Sequence, residues 1–98
     1  MSVLLVAYDL NQPGQKHKKL LEILHPYKPV KLSESSYAIL TNKSPQNIYK
    51  VLQPVLDSTD KLFVITLYSP FAGDKSNEET HWLDANLGGL PGGVTWNI

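Results

Sequence analysis

One carboxylate stands out because of its position: Asp9 directly follows the first apolar run of the chain, residues 3–8. A run that is this short and partly β-branched predicts a buried strand rather than a helix. Asp9 would therefore lie at the carboxyl end of a strand, where open α/β sheets tend to place ligands and chemistry. The alternative is a structural role, in which Asp9 caps the following turn or helix. Position alone favours neither role.

The histidines and serines match no catalytic or metal-binding motif. The three histidines are far apart in the sequence, at His17, His25 and His81. Their spacing is not that of HExxH or of another metal-ligand pattern, so a zinc hydrolase is not indicated. We predict that His17 lies on one face of a helix. The clustered serines are Ser33, Ser35 and Ser36. They lack the GxSxG motif that surrounds a nucleophilic serine.

Charge is divided along the chain although the formal net charge is zero. Residues 1–56 carry seven lysines and three carboxylates, a net +4, whereas residues 57–98 carry two lysines and six carboxylates, a net −4. Lys16, Lys18 and Lys19 could attract the backbone phosphates of RNA or DNA. The simpler interpretation is an ordinary solvated helix face. The chain has no arginine, so it lacks the bidentate contacts that read guanine in duplex DNA.

Length and composition limit the class of protein. A chain of 98 residues predicts one small domain, and a partner could cover its exposed apolar surface, so we expect self-association. The absence of cysteine excludes disulfides and thiolate metal sites. No apolar stretch is long enough for a secretory signal or a membrane span. We therefore expect a cytoplasmic protein that does not enter a membrane.

The order of elements predicts the fold. After the first strand, Leu20, Leu21 and Leu24 recur at helical spacing, and Pro26 ends that helix. Two strands at residues 30–34 and 36–41 follow, then a helix that begins at Ser44-Pro45 and a strand at residues 61–67. Two strand-helix-strand units in this order predict an α+β, ferredoxin-like βαββαβ fold, in which two helices cover one face of an antiparallel sheet.

The remaining residues form an extension to this core. We divide the chain into a ferredoxin-like core at residues 1–67 and a C-terminal extension at residues 68–98. A short helix is predicted at residues 78–87, and a glycine-rich hinge at residues 88–93. The alternation in residues 94–98 predicts a strand. That strand could return to its own sheet or add to a sheet edge on another copy.

Three segments carry a resemblance to a known family: residues 3–10, 34–42 and 56–64. Together they resemble the small bacterial and phage proteins labelled SinR family, which in turn resemble the CRISPR-associated protein two family and virulence-associated protein D. The resemblance covers residues 1–67 and excludes the extension. Its motifs are moderately specific as a set and weak when taken singly.

The resemblance implies a ferredoxin-like homodimer with the aspartate of the first strand near the dimer axis. In the nuclease members this carboxylate is proposed to bind magnesium, and Asp9 is the matching position. Asp9 is therefore the expected catalytic and metal-binding residue, with Mg²⁺ as cofactor. Tyr8 and Asn11 would flank the site. The hydroxyl groups expected to hydrogen-bond phosphate are those of Ser33, Ser35 and Ser36.

Three functions stay open at this point. The chain could be a dimeric magnesium-dependent nuclease acting on RNA. It could instead be a non-catalytic adaptor that binds nucleic acid or protein, because many relatives of the CRISPR-associated family do not need nuclease activity. A third hypothesis is a structural assembly subunit whose extension joins a neighbouring sheet. The lack of arginine weakens the nuclease hypothesis, since no guanidinium group stabilises the transition state.

Overall fold

The structure is a computed structural model, and it describes residues 1–74 and 77–89. The elements in chain order are β1 (Ser2–Asp9), α1 (Gly14–Leu24), β2 (Val30–Ser33), β3 (Ser36–Thr41), α2 (Pro45–Leu52), β4 (Lys61–Leu67) and α3 (Glu78–Asn86). Short 3₁₀ turns at His25–Tyr27 and Gln53–Val55 follow the first two helices. The predicted order of strands and helices is therefore confirmed.

The four strands form one antiparallel sheet in the order β2-β3-β1-β4. β1 lies inside the sheet, where it pairs with β3 on one side and with β4 on the other. The two strands that follow a helix, β2 and β4, lie at opposite edges. This arrangement confirms the predicted α+β ferredoxin-like fold.

Strand alternation places every second side chain of β1 in the main core. Leu4 and Val6 are fully buried, and Tyr8 is nearly so. Their partners across the strands continue the same face, since Leu4 lies opposite Ile39 and Val6 opposite Val64. Helices α1 and α2 cover this face with four buried side chains, Leu20, Leu24, Ile48 and Leu52. Burial of each such side chain stabilises the fold by about 1.5–3 kcal/mol.

The helix ends follow local chemistry. The hydroxyl of Ser44 accepts a hydrogen bond of 3.1 Å from the backbone N–H of Asn47, which confirms the predicted cap of α2. Gly14 begins α1 with a φ of +26°, a conformation that side chains disfavour. Pro26 lies in the 3₁₀ turn after α1, so this helix ends where proline predicts. Pro54 likewise follows α2.

The sheet face opposite α1 and α2, called here the second sheet face, is apolar and only partly covered. Ala7 lies opposite Phe63 and Leu5 opposite Ile65, so all four side chains share this face. Phe63 is 59% exposed and Ile65 is 48% exposed. Asp9 belongs to the same face because it follows Ala7 by two residues. A carboxylate and an exposed apolar patch therefore lie on one surface.

The described part of the extension returns to the sheet. The backbone N–H of Ser69 donates to the carbonyl of Gly88 at 2.8 Å, which joins the two ends of this segment. Trp82 of α3 and Leu40 of β3 line one pocket, so α3 packs beside the second sheet face. The predicted helix at residues 78–87 is thus present as α3. The predicted strand at residues 94–98, and most of the predicted hinge, lie outside the described residues.

Among the helices of the described ranges, none has the length and apolar character needed to cross a membrane.

Candidate functional site

A cleft of about 310 Å³ opens at the carboxyl end of β1. We call it the Asp9 cleft. Its lining residues are Tyr8, Asp9, Leu10, Pro13, His17, Glu34 and Ser35. They come from three places in the chain: the end of β1 with the following loop, the first turn of α1, and the turn between β2 and β3. Asp9 itself is exposed to solvent, and Lys61 lies opposite it on β4.

Tyr8 and His17 form a hydrogen-bonded pair in this cleft. The hydroxyl oxygen of Tyr8 is 2.8 Å from Nε2 of His17, and the two ring centroids are 5.6 Å apart. Burial, with smaller contributions from Tyr37 and Glu34, raises the pKa of Tyr8 to about 12. The hydroxyl therefore stays protonated at neutral pH, and it donates a longer hydrogen bond of 3.4 Å to the backbone carbonyl oxygen of Glu34.

The aromatic stacking behind Tyr8 keeps it in place. Its ring lies nearly parallel to that of Tyr37, with an interplanar angle of 10° and a centroid separation of 6.4 Å. Because Val6 and Tyr37 are direct partners across β1 and β3, Tyr8 and Tyr37 are diagonal neighbours on the same face. The hydroxyl of Tyr8 consequently points toward α1 from a rigid strand.

A polar cluster fixes the loop after Asp9. The ammonium group of Lys16 lies 2.6 Å from Asp57 Oδ2, 3.0 Å from Asp60 Oδ2 and 3.2 Å from the carbonyl oxygen of Asn11. The backbone N–H of Asn11 donates to Asp60 Oδ1 at 2.8 Å. We call these four residues the Lys16 cluster. It joins the β1–α1 loop to the turn before β4, and so holds the wall of the Asp9 cleft.

The Lys16 cluster changes the pKa of each of its ionisable groups. A hydrogen bond from Lys16, and others from Thr59, hold the pKa of Asp57 well below its usual range. Hydrogen bonds from the Asp57 backbone, from Lys16 and from the Asn11 backbone lower the pKa of Asp60. The same carboxylates raise the pKa of Lys16. All three groups are therefore charged at neutral pH.

The lysines expected to contact nucleic acid differ in their surroundings. Lys18 and Lys19 are exposed on α1, whereas Lys16 is only half-buried and engaged by two carboxylates. Part of the charge division seen along the chain is therefore neutralised inside one molecule. The paired positions are 41 and 44 residues apart, so the sequence carries no local signal for this contact.

The three serines lie in one hydrogen-bonded turn, in which the backbone N–H of Ser35 donates to the hydroxyl of Ser33 at 3.3 Å. Ser35 lines the Asp9 cleft, and its carbonyl oxygen accepts a 3.0 Å hydrogen bond from the backbone N–H of Tyr8. Ser33 and Ser36 share a 2.6 Å hydrogen bond between their hydroxyl groups. Glu34 lies in the same turn, and its carboxylate is 3.2 Å from the ammonium of Lys31.

The described residues contain no group of three His, Asp or Glu side chains arranged to hold a metal ion. Within the described part of one chain, Asp9 therefore does not belong to a cluster of three such side chains. Magnesium is often held by one or two carboxylates together with waters and substrate phosphates. An exposed carboxylate such as Asp9 fits this chemistry when a second carboxylate, from another copy of the chain, is brought beside it.

His17 is the site residue whose role the sequence did not reveal. Its place on a helix face was predicted, but its partner was not. Two separate patterns could have indicated this contact. Tyr8 continues the alternation that directs Leu4 and Val6 into the core, and His17 lies one helical turn before the buried Leu20. Both patterns direct these side chains toward the same interface between sheet and helix.

The fold and the cleft define a small ferredoxin-like α+β protein with an exposed carboxylate at the end of its first strand. No family model and no curated protein matches the chain. Among solved structures, it is similar to the hypothetical protein TT1823 from Thermus thermophilus, with a TM-score of 0.62 and 18% sequence identity. The match covers 76% of this chain and 92% of that chain. At this identity the similarity establishes the fold alone.

Proposed function

We propose that this chain is a homodimeric, magnesium-dependent nuclease that resembles the CRISPR-associated protein two family and cleaves RNA. One observation carries the proposal: the exposed carboxylate of Asp9 shares the second sheet face with the exposed side chains of Phe63 and Ile65. A surface that favours self-association thus includes the candidate metal ligand.

The apolar patch supports a dimer of this geometry. Phe63 and Ile65 belong to β4, an edge strand of the described sheet, and both project from the face that α1 and α2 leave uncovered. Removing such side chains from water contributes about 25 cal/mol for each Å² of apolar area buried. In a two-fold dimer each residue meets its own counterpart or a symmetric neighbour. Packing through this face would bring two copies of Asp9 toward the dimer axis.

The residues around Asp9 suit phosphodiester hydrolysis. Magnesium bound between two Asp9 carboxylates would supply positive charge to the phosphate and a water of lowered pKa. The Ser35 hydroxyl and the polar Tyr8–His17 pair lie in the same cleft, where they can hydrogen-bond phosphate and water. Lys18 and Lys19 add positive charge on the adjacent helix. Hydrolysis forms a bond from the water oxygen to phosphorus and breaks the bond from phosphorus to the departing sugar oxygen, which takes up a proton.

The test compares wild type with Asp9→Asn on labelled single-stranded RNA and duplex DNA, in magnesium or in EDTA. Asp84→Asn is the matched control, because it makes the same change at an exposed carboxylate on α3, outside the Asp9 cleft. Circular dichroism and light scattering establish equal folding and equal oligomeric state. Cleavage that requires both magnesium and Asp9, and that Asp84→Asn retains, supports the proposal. Absence of cleavage by wild type, or equal cleavage by all three proteins, contradicts it.

A non-catalytic adaptor is the second candidate function. It is favoured because Asp9 does not belong to a group of three metal-ligand side chains within the described residues of one chain. An adaptor would bind RNA, DNA or a protein partner without turnover, and Asp9→Asn would leave its affinity unchanged. Fluorescence anisotropy on the same oligonucleotides measures this binding directly.

A further inference from the structure

A second pocket, of about 530 Å³, lies at the other end of β1 from Asp9. Its lining residues are Met1, Pro26, Tyr27, Lys28, Leu40, Thr41, Asn42, Lys43 and Trp82. We call it the Trp82 pocket. Ser2 pairs with Thr41 at this end of the sheet, whereas Asp9 pairs with Lys61 at the other. The eight residues of β1 separate the two sites by roughly 23 Å.

No described residue that lines this pocket carries a carboxylate to neutralise its positive charge. Lys28 and Lys43 are both exposed. Within residues 1–74 and 77–89, neither ammonium group forms an ion pair. Lys16, by contrast, is paired twice. Two lysines beside one concave surface without acidic partners favour an anionic ligand.

Aromatic side chains supply the remaining recognition surface. Lys43 Nζ lies 5.5 Å from the ring centroid of Tyr27, so a cation–π contact holds this ammonium at the rim. Trp82 reaches the pocket from α3 and is only half-buried, which leaves part of the indole available for contact. Grooves that bind single-stranded nucleic acid combine these two features, a basic surface for phosphate and aromatic side chains on which bases stack.

Lys28 caps the 3₁₀ turn after α1 in a left-handed backbone conformation. Lys28 has a φ of 52°, in the left-handed region that glycine and asparagine occupy more readily. It follows the 3₁₀ turn at His25–Tyr27, and its N–H donates to the carbonyl of His25 at 3.0 Å. This cap fixes the backbone of Lys28 at the end of the turn, beside the pocket that it lines.

We propose that the Trp82 pocket binds one unstacked nucleotide of a single-stranded nucleic acid. The base stacks on Trp82, and Lys28 and Lys43 each contact one of the two phosphates that flank the nucleotide. The volume of the pocket lies within the range of small-ligand sites. The proposal concerns binding at a place remote from Asp9 and does not depend on cleavage there.

The test measures binding of a fluorescein-labelled ten-residue oligouridine by anisotropy, in EDTA so that cleavage cannot interfere. Lys28→Gln and Lys43→Gln are compared with Lys50→Gln, which removes the same charge from α2 outside the pocket. In each pocket variant, the negative slope of log K against log salt should become shallower by about 0.7, the value for one lost phosphate contact in a single strand. Lys50→Gln should leave the slope unchanged. Equal slopes for all three variants and wild type would overturn the proposal.

The aromatic part is tested separately. Trp82→Leu should weaken oligouridine binding by about 10-fold without changing the salt slope, while Trp82→Phe retains most of the affinity. Urea unfolding of both variants shows whether α3 remains folded. An abasic strand of equal length should bind more weakly than oligouridine, and UMP should compete with the labelled strand. If the abasic strand binds as tightly, or inorganic tripolyphosphate competes as well as UMP at equal charge, the pocket holds anions without reading a base and the proposal is wrong.

Discussion

The two ends of β1 differ in whether the nearby lysines are paired with carboxylates. At the Asp9 end, the Lys16 cluster pairs one ammonium with two carboxylates and joins two loops. At the Trp82 end, Lys28 and Lys43 face a pocket whose described lining contains no carboxylate. Internal pairing at the first end stiffens a wall and leaves Asp9 exposed, whereas unpaired charge at the second end remains available for a ligand. The role of a lysine in this protein therefore depends on which carboxylates the fold places beside it, and its position in the sequence does not reveal them.

The largest expected difference between the two ends comes from Asp9→Asn. We expect RNA cleavage to fall by about 100-fold or more, because an amide is a much weaker magnesium ligand than a carboxylate. Binding of oligouridine at the Trp82 pocket in EDTA should stay unchanged, since roughly 23 Å of strand separates the sites. Cleavage and anisotropy assays on the same preparation measure both. A parallel loss of both readouts would mean that the two ends act as one site.

Breaking the apolar patch tests whether the Asp9 end depends on a second copy. Ile65→Glu should convert the dimer to a monomer in light scattering and abolish cleavage, because it places a charge on the surface proposed to become buried. Val51→Glu is the matched control, since Val51 is 42% exposed on α2, away from this face. The proposal for the Trp82 pocket predicts unchanged oligouridine binding in both variants. A monomeric wild type would remove the basis for paired Asp9 carboxylates.

Acid should destabilise the protein through the Lys16 cluster. The folded-state pKa values of Asp57 and Asp60 lie below those of the unfolded chain, which are near 3.9 for aspartate. Their contribution to stability is complete above the unfolded pKa and is lost as pH falls through the folded pKa. Melting temperatures measured from pH 7 to pH 2 should therefore decline below about pH 4.

Substitution within the Lys16 cluster identifies the source of that decline. Asp60→Asn should make the melting temperature less dependent on pH below about pH 4. It should also lower the melting temperature at pH 7, because it weakens the contacts to Lys16 and to the Asn11 backbone. Asp84→Asn should leave the curve as in wild type. If the melting temperatures of the two variants depend on pH in the same way, the Lys16 cluster does not stabilise the Asp9 end.

The smallest predicted effect concerns Tyr8. Tyr8→Phe removes the hydroxyl that forms the hydrogen bond with His17 and should destabilise the fold by about 1 kcal/mol, the usual contribution of one hydrogen bond. Urea unfolding at pH 7 measures this change, and Tyr27→Phe at the other end of β1 is the control. A loss of cleavage in Tyr8→Phe, with affinity for the strand retained, would give the Tyr8–His17 pair a role in the chemistry.

The elements of the fold could be predicted because their signals are local. Alternation in residues 3–8 and 36–41, the spacing of Leu20 and Leu24, and the Ser44 cap each act within a few residues. The order of two consecutive strand-helix-strand units then left few ways to pair the strands. The expected position of Asp9 at the end of β1 followed from the same local reasoning.

The candidate sites were less predictable because their contacts join distant parts of the chain. For Lys16 the sequence offered a phosphate contact or a solvated helix face, and its ion pairs with Asp57 and Asp60 were not predicted. His17 was predicted on a helix face, yet its contact with Tyr8 requires the packing of α1 on the sheet.

By itself, the sequence determined which segments become strands and helices, since hydrophobic period, proline positions and caps act over one or two turns. It also determined that a lone carboxylate would end the first strand. Only the tertiary structure decided which charges are neutralised within the molecule, which aromatic ring meets His17, and that Trp82 lies beside Lys28 and Lys43. These outcomes depend on how strand pairing and helix packing bring together side chains tens of residues apart, and no short-range pattern encodes that geometry.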